Sequence, residues 1–246
     1  MGYYDPSGYD KNVYHKNFNN LVNKANRYGF NKLSSKEKRE LIRQYRHLNP
    51  NEYKLSYKEA KDILRNGLRY PLGSNARIIR AKEPSSYMPN QYMRNYEEQF
   101  KDGTSYLIKR RDYDAFYSNS DFFERFPNSR TYYSAPKNGM DNAFKSAQIG
   151  NGIYDADKMA KSLGYDYLAK NEEYIRINTS NVNVHQVSMP KGTEVGTNYN
   201  WIPGGVTSGG TYEAITHTVR NPFKGVSDVY SSDVIVDGLN GEIILR

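Results

Sequence analysis

Between Trp201 and Ile215 the chain reads WIPGGVTSGGTYEAI, with two glycine pairs, its only tryptophan and one carboxylate, Glu213, directly behind them. Gly204, Gly205, Gly209 and Gly210 offer backbone without Cβ, which a ligand or a neighbouring strand can approach closely and which takes positive φ at little cost. A carboxylate near the mouth of such a loop suits a sugar hydroxyl or a developing sugar cation. The same letters also describe a glycine-rich hairpin with a surface glutamate. A second constellation, ERFPNSRTYYSAPKNGM, spans residues 124–140. Arg125 and Arg130 flank a turn, an aromatic pair and Ser134 follow in an expected strand, and Pro136, Asn138 and Gly139 read as its stop. A guanidinium grips a diphosphate through two hydrogen bonds, and a tyrosine face stacks on a flat cationic ring. Together with Glu213 these are the parts needed to hold a dinucleotide.

Other residue types suggest other chemistry. His185, His217, Lys191 and Thr218 are a set from which a general acid and base for RNA cleavage can be drawn, although single histidines at strand spacing are also ordinary packed or surface residues. With no cysteine, disulfides, thiolate catalysis and zinc-cysteine sites are excluded. The acids and histidines show no metal-ligand spacing. No run approaches the ~18 apolar residues of a membrane span, and no start-of-chain apolar run looks like a signal peptide. The net charge of +8 is segregated: residues 1–95 hold 19 Lys and Arg against 8 Asp and Glu, a surplus of +11, whereas residues 96–246 hold 16 against 19, or −3. Binding of nucleic acid needs cations where the phosphates lie. The half with the glycine-rich motif is slightly acidic, which disfavours a nuclease site there and leaves room for a basic docking surface in front of it.

The elements that must position these residues fall into two styles. Apolar residues make up 37%, below the usual ~45–50%, but 24 tyrosines add ring area that packs well while keeping a hydroxyl, so the chain reads as folded. Residues 16–66 carry helical signals. Phe18, Leu21, Val22, Ala25 and Tyr28 form one stripe at helical spacing. SSKEKRELIRQYRHLNP opens with a capping box from Ser34 to Glu37 and buries Leu41, Ile42, Tyr45 and Leu48; SYKEAKDILRNG repeats the design with Ser56 and Glu59. From residue 75 onward short β-rich runs alternate with turn residues: ARIIRA, TSYLIKR, RTYYSA, EYIRIN, NVNVHQVSM, YEAITHTV, SDVIVDG and EIILR. One helix, DADKMAKSLG, is expected among them, with Met159, Ala160 and Leu163 on its face and Gly164 as its stop. The fold class expected is α+β, with a junction at residues 1–10, a basic helical lead-in at 11–74 and a catalytic domain at 75–246.

Two resemblances add to this reading. The opening YYDPSGYD is similar to the junction that ends the shell of Rhs and YD-repeat proteins, just before their variable C-terminal toxins. Residues 122–215 resemble the tuberculosis necrotizing toxin family and its ADP-ribosyltransferase relatives through "RF", a strand tyrosine about eight residues on, a "SAPKNG" turn, "PKGTEVG" and "PGGVTSGGTYE". The resemblance implies a split antiparallel sheet and cleavage of NAD. It matches Arg125 to the arginine that holds NAD, Tyr133 to its aromatic partner and Glu213 to the catalytic position, where the family carries glutamine and the transferring relatives carry glutamate. A second alignment within the superfamily gives the arginine's part to Arg77 or Arg80 of ARIIRA and makes Ser134 a binding and orienting residue. The family's middle-strand histidine falls on Ile175, which is no catalyst, so hydrolase and transferase both stay open.

The resemblance implies an effector delivered as part of a larger secreted toxin, used in competition between bacteria and acting in the target-cell cytoplasm. NAD is its substrate, no metal takes part, and its partners are an acidic immunity protein and, for a transferase, a macromolecular acceptor of ADP-ribose. Two readings compete with it: a ribonuclease toxin acting on tRNA or rRNA, and a glycan-binding domain that needs only an exposed aromatic patch.

Overall fold

The computed structural model describes residues 11–68, 82–117, 132–151, 153–165, 168, 173–179, 187–194, 197–216, 230–236 and 242–245. Four helices come first: α1 (Lys11–Tyr28), α2 (Ser35–Leu48), α3 (Tyr57–Gly67) and α4 (Asn90–Glu98). Both expected capping boxes form. Ser34 and Ser56 accept from the amides of Glu37 and Glu59, whose carboxylates accept in return from the serine amides at 2.8 Å. Two otherwise orphaned N–H groups are thereby satisfied at each start.

Phe18, Leu21, Val22 and Ala25 are buried as the spacing requires, but Tyr28, read as part of the same stripe, is 65% exposed. Ten residues beyond Phe18, at 3.6 residues per turn, it lies about 80° round from Phe18, past the edge of the stripe. Helix α4 was not legible, although Tyr92, Tyr96 and Phe100 recur every fourth residue and are all buried. The prolines and polar residues just ahead of it read as loop.

The rest is strand-rich: β1 (Thr104–Lys109), β2 (Tyr132–Pro136), β3 (Gln148–Gly150), β4 (Ile153–Asp155), β5 (Glu173–Thr179), β6 (Val187–Ser188), β7 (Ala214–Thr216), β8 (Tyr230–Val236) and β9 (Glu242–Leu245). Among the described residues three α-helices interrupt them, the short α5 (Arg110–Asp112), then α6 (Lys137–Ala147) and α7 (Ala156–Leu163). Strand β2 stops at Pro136 as expected, but Asn138 and Gly139 belong to helix α6, not to a turn. Met140, Ala143, Phe144 and Ala147 make a buried stripe at i, i+3, i+4 and i+7, and a proline just ahead of a first helical turn withholds no amide that the helix uses. Helix α7 stops as expected at Gly164, in the left-handed region, and Asp155 caps its start.

All strand pairs are antiparallel, in the order β3-β4-β9-β8-β5-β1-β2-β7-β6. The architecture is therefore α+β. Strand β2 divides its pairing: Ala135 and Pro136 face β1, whereas Tyr132, Tyr133 and Ser134 face β7. The run ARIIRA lies outside the described residues, as does most of NVNVHQVSM.

Two hydrophobic cores result. One joins Leu107, Ala135, Leu168 and Tyr174 to helices α6 and α7. The other unites α1 to α4 with residues 187–214, so the basic helical front and the glycine-rich loop share one interior. The domain boundary expected at residues 74 and 75 falls outside the described residues. Among the described residues no helix is long and apolar enough to cross a membrane.

Candidate functional site

The loop Trp201–Gly210 runs between the two cores, held on both sides. From the front, Tyr45 donates to the carbonyl of Pro203 (3.0 Å), Tyr92 to that of Gly204 (2.8 Å) and Tyr96 to that of Glu213 (2.8 Å). Burial pushes all three phenols up, so each stays a donor. The Asn26 side chain donates to the carbonyls of Tyr199 and Trp201. From the rear, Thr207 donates to the carbonyl of Ser162 at 2.7 Å. Within the loop, the Glu213 amide donates to the Gly205 carbonyl and that of Thr207 to the Thr211 carbonyl, both at 2.8 Å. The result is a folded-back loop with two short bridges, Ile202 to Val206 and Val206 to Tyr212. Glu213 stands one residue ahead of β7.

The glycines have a definite employment. Gly204 and Gly205 adopt φ of 104° and 63°. A Cβ on Gly204 would stand 2.7 Å from the Tyr45 hydroxyl, and one on Gly205 would enter the ring of Tyr96. A Cβ on Gly209 would meet the backbone of Lys161 and Ser162. The close approach that these three allow is to the protein's own tyrosines and to α7. Gly210 (φ 87°) has only the Leu48 carbonyl nearby, at 3.5 Å.

Glu213 and Tyr133 come together. Both line two adjoining lobes of one cleft, with Leu163, Tyr165 and Thr207. One lobe adds Ser105, Ser134, Met140, Thr211 and Tyr212; the other adds Thr197, Asn198, Asn200, Trp201 and Ser208. Strand register accounts for the meeting. Tyr133 pairs with Ile215, and side chains two apart on a strand share a face, which brings Glu213 diagonally toward Tyr133. The Tyr133 hydroxyl shares a 2.8 Å hydrogen bond with that of Thr197. Burial raises the Tyr133 phenol above its usual value, Thr197 opposes this, and the carboxylates of Glu194 and Glu213 add to it.

Glu213 is partly exposed as a residue, yet the packing around its carboxyl withdraws water. Desolvation, helped by the negative charge of Glu194, pushes it up to about 8, so at pH 7 it is mostly protonated. Glu194 is itself clamped: its carboxylate accepts from the amides of Lys191, Gly192 and Thr193 at 2.8 to 3.0 Å. Three buried polar atoms of the cleft's lining residues have no hydrogen-bond partner among the described residues: Ser134 Oγ, Tyr212 Oη and Trp201 Nε1.

Arg125, Arg130, Arg77, Arg80, His185, His217 and Thr218 lie outside the described residues. Lys191 is engaged in an ion pair with Glu83 at 2.7 Å, and Ile175 is core. Four contributors were not singled out from sequence: Glu194, Thr197, Tyr165 and Arg176. The last donates to Ser105 Oγ (3.1 Å) and Asn178 Oδ1 (3.2 Å), pairs with Asp141 (2.5 Å) and lies over the Phe144 ring, bracing the serine at the cleft's edge. A polar pair, Arg176 and Asn178, two apart and alternating with the apolar Ile175 and Ile177, was the available signal. Among the described residues no three His, Asp or Glu side chains gather as metal ligands. Compared with protein-family models, curated proteins and solved structures, the chain matches none.

Proposed function

We propose that this chain cleaves the bond between nicotinamide and ribose in NAD, on a split antiparallel sheet of ADP-ribosyltransferase type. One observation carries the reading: Glu213, Tyr133 and Ser134, picked out from separate stretches of sequence, line one cleft around a carboxyl with no cation beside it among the described residues. Perturbed acids in clefts are candidates for catalytic work.

In this reading the C1′–N bond breaks with its electron pair passing to the pyridinium nitrogen, and neutral nicotinamide leaves. The Glu213 carboxylate accepts a ribose hydroxyl and stabilises the positive charge left on the sugar; hydrogen bonds to charged groups contribute about 1.5–3 kcal/mol. Tyr133 stacks on the departing ring, and Ser134, whose hydroxyl has no partner among the described residues, orients the substrate. Water or a nucleophile on a macromolecule then attacks C1′ and loses its proton to Glu213. An arginine, Arg125 or one of Arg77 and Arg80, holds the diphosphate. Gly204, Gly205, Gly209 and Gly210 serve NAD indirectly, by setting where Glu213 stands. Delivery within a larger secreted toxin, action in the target-cell cytoplasm and an acidic immunity partner follow from the same reading.

The test is to follow nicotinamide release and labelled ADP-ribose transfer with and without cell lysate. Release by protein alone indicates a hydrolase, and release tied to labelled macromolecules a transferase. Glu213→Gln should lower turnover by about 10²–10³. Intact NAD in both mixtures, with RNA cut in the lysate, would transfer the assignment to a ribonuclease.

A further inference from the structure

We infer that the outward faces of α2 and α3 form a docking surface for single-stranded nucleic acid, gripped through its phosphates and stacked on Tyr57. The inference concerns the basic front alone and stands whether or not the cleft cleaves NAD.

Spacing places the cations. At 3.6 residues per turn Lys36, Arg39, Arg43, Arg46 and His47 fall within about 100° of arc on α2, and all five are exposed, opposite the buried Leu41 and Tyr45. Lys58, Lys61 and Arg65 repeat the design at i, i+3 and i+7 on the exposed side of α3. Residues three and four apart on a helix lie about 5–6 Å from each other, a step comparable to that between successive phosphates on a strand. Arg46 donates to the Leu55 carbonyl at 2.7 Å, which sets the end of the first stripe against the start of the second helix. Tyr57 stands at that start, 46% exposed and one helical turn from Lys61.

A face that is merely solvated mixes signs, yet residues 17–68 hold 12 Lys and Arg against 5 Asp and Glu, a surplus of 12 − 5 = +7. Of the five acids, Glu37 and Glu59 are engaged in capping boxes and Glu40 pairs with Arg43. Each stripe sets like charges three or four residues apart, which destabilises a helix. Lys36 and Lys58 also occupy first turns, where the helix dipole favours anions. An anionic partner relieves this repulsion. An acidic protein fits less well, because the core of a protein interface is depleted of charge, and Tyr28 and Tyr57 are the only large apolar side chains exposed on α1 to α4 among the described residues. A lipid surface needs an apolar helix face to insert, and those of α2 and α3 are buried in the core. A nucleic-acid strand requires cations along its phosphates and a ring for a base, and this face presents both.

The experiment is fluorescence anisotropy of a labelled, mixed-sequence single strand titrated with the whole chain at several salt concentrations. RNA and DNA strands of one sequence should bind alike, since neither phosphate contact nor stacking reads the sugar, and the DNA strand is proof against a ribonuclease. Affinity should fall as salt rises, with a logarithmic slope of about −0.7 for each cation engaged. The triple variant Arg39→Gln, Lys61→Gln, Arg65→Gln should bind at least about tenfold more weakly at low salt, with a slope shallower by about 2. Lys145→Gln, Lys158→Gln, Lys161→Gln removes the same charge from α6 and α7 and should weaken binding less than about twofold. Tyr57→Ala should cost the single strand at least about fivefold and leave a duplex of the same sequence unmoved. Equal losses in the two triple variants overturn the inference, as does the absence of binding or a salt-independent affinity. Polyglutamate that displaces the strand as well as unlabelled RNA of equal charge would give the face to an acidic protein, and phosphatidylserine vesicles that capture the chain while the strand does not bind would give it to a lipid surface. The front side chains substituted are exposed, and the wild-type salt series with its two competitors decides even if a variant fails to fold.

Discussion

In the front half of the molecule Tyr45, Tyr92 and Tyr96 are buried with hydroxyls that reach the backbone carbonyls of residues 203, 204 and 213. In the rear, Met140, Ala143, Phe144, Met159 and Leu163 fill the space between helices and sheet as an apolar cluster. The front interior thus specifies position, because each ring must deliver one oxygen to one carbonyl. The rear interior specifies volume. Glu213 is fixed by the first kind of packing, which makes the basic helical front part of the cleft's frame.

That contrast can be broken experimentally, most severely at the glycines. Gly205→Ala adds a Cβ inside the Tyr96 ring at a positive φ and should destabilise by about 2–5 kcal/mol in urea unfolding. Gly210→Ala, with no clash beyond a 3.5 Å contact, should show only the left-handed penalty, about 1–2 kcal/mol. Equal losses would show that the front does not grip the loop as described.

The Glu213 carboxyl predicts a pH slope of opposite sign to that of a salt-bridged acid. Its folded value, about 8, lies above the ordinary 4.5. The folded state therefore holds the proton more tightly than the unfolded chain, and stability falls as pH rises from about 4.5 to 8. The Glu213 contribution should be a few kcal/mol, and Glu213→Gln should flatten it. A wild-type and variant pair with parallel pH profiles of urea midpoint would remove the buried-acid description.

Tyr92→Phe deletes one oxygen and leaves the Gly204 carbonyl short of its donor, for an expected loss of about 1–3 kcal/mol. Met159→Leu, a volume-conserving change in the rear, should cost less than about 1.5 kcal/mol. If Tyr92→Phe proves neutral while Met159→Leu is severe, the assignment of position to the front and volume to the rear is reversed. At the small end, Ser56→Ala removes one arm of a capping box and should cost about 1 kcal/mol.

Local signals were the legible part. The capping boxes at Ser34 and Ser56, the stop at Gly164 and most described strands follow from spacing and from residues that satisfy their own backbone. Helix α4 and helix α6 were obscured because prolines and asparagines near their starts resemble loop punctuation, and because tyrosine stripes do not announce burial. At the site, the association of Glu213, Tyr133 and Ser134 was readable from their types. Glu194 and Arg176 were not, since what matters about them is a fold-level meeting. Glu194 acts through charge on a group 19 positions away, and Arg176 through a serine 71 positions away.

The tyrosine clamp also sets a timetable. Its hydrogen bonds join residues 158, 112 and 117 positions apart, so a growing chain completes the seat long before the loop it receives has been made. At ordinary synthesis rates of about 5–20 residues per second the helices wait roughly 5–20 s with their aromatic surface uncovered. Until residues 201–214 arrive, the nascent protein has a frame and no cleft.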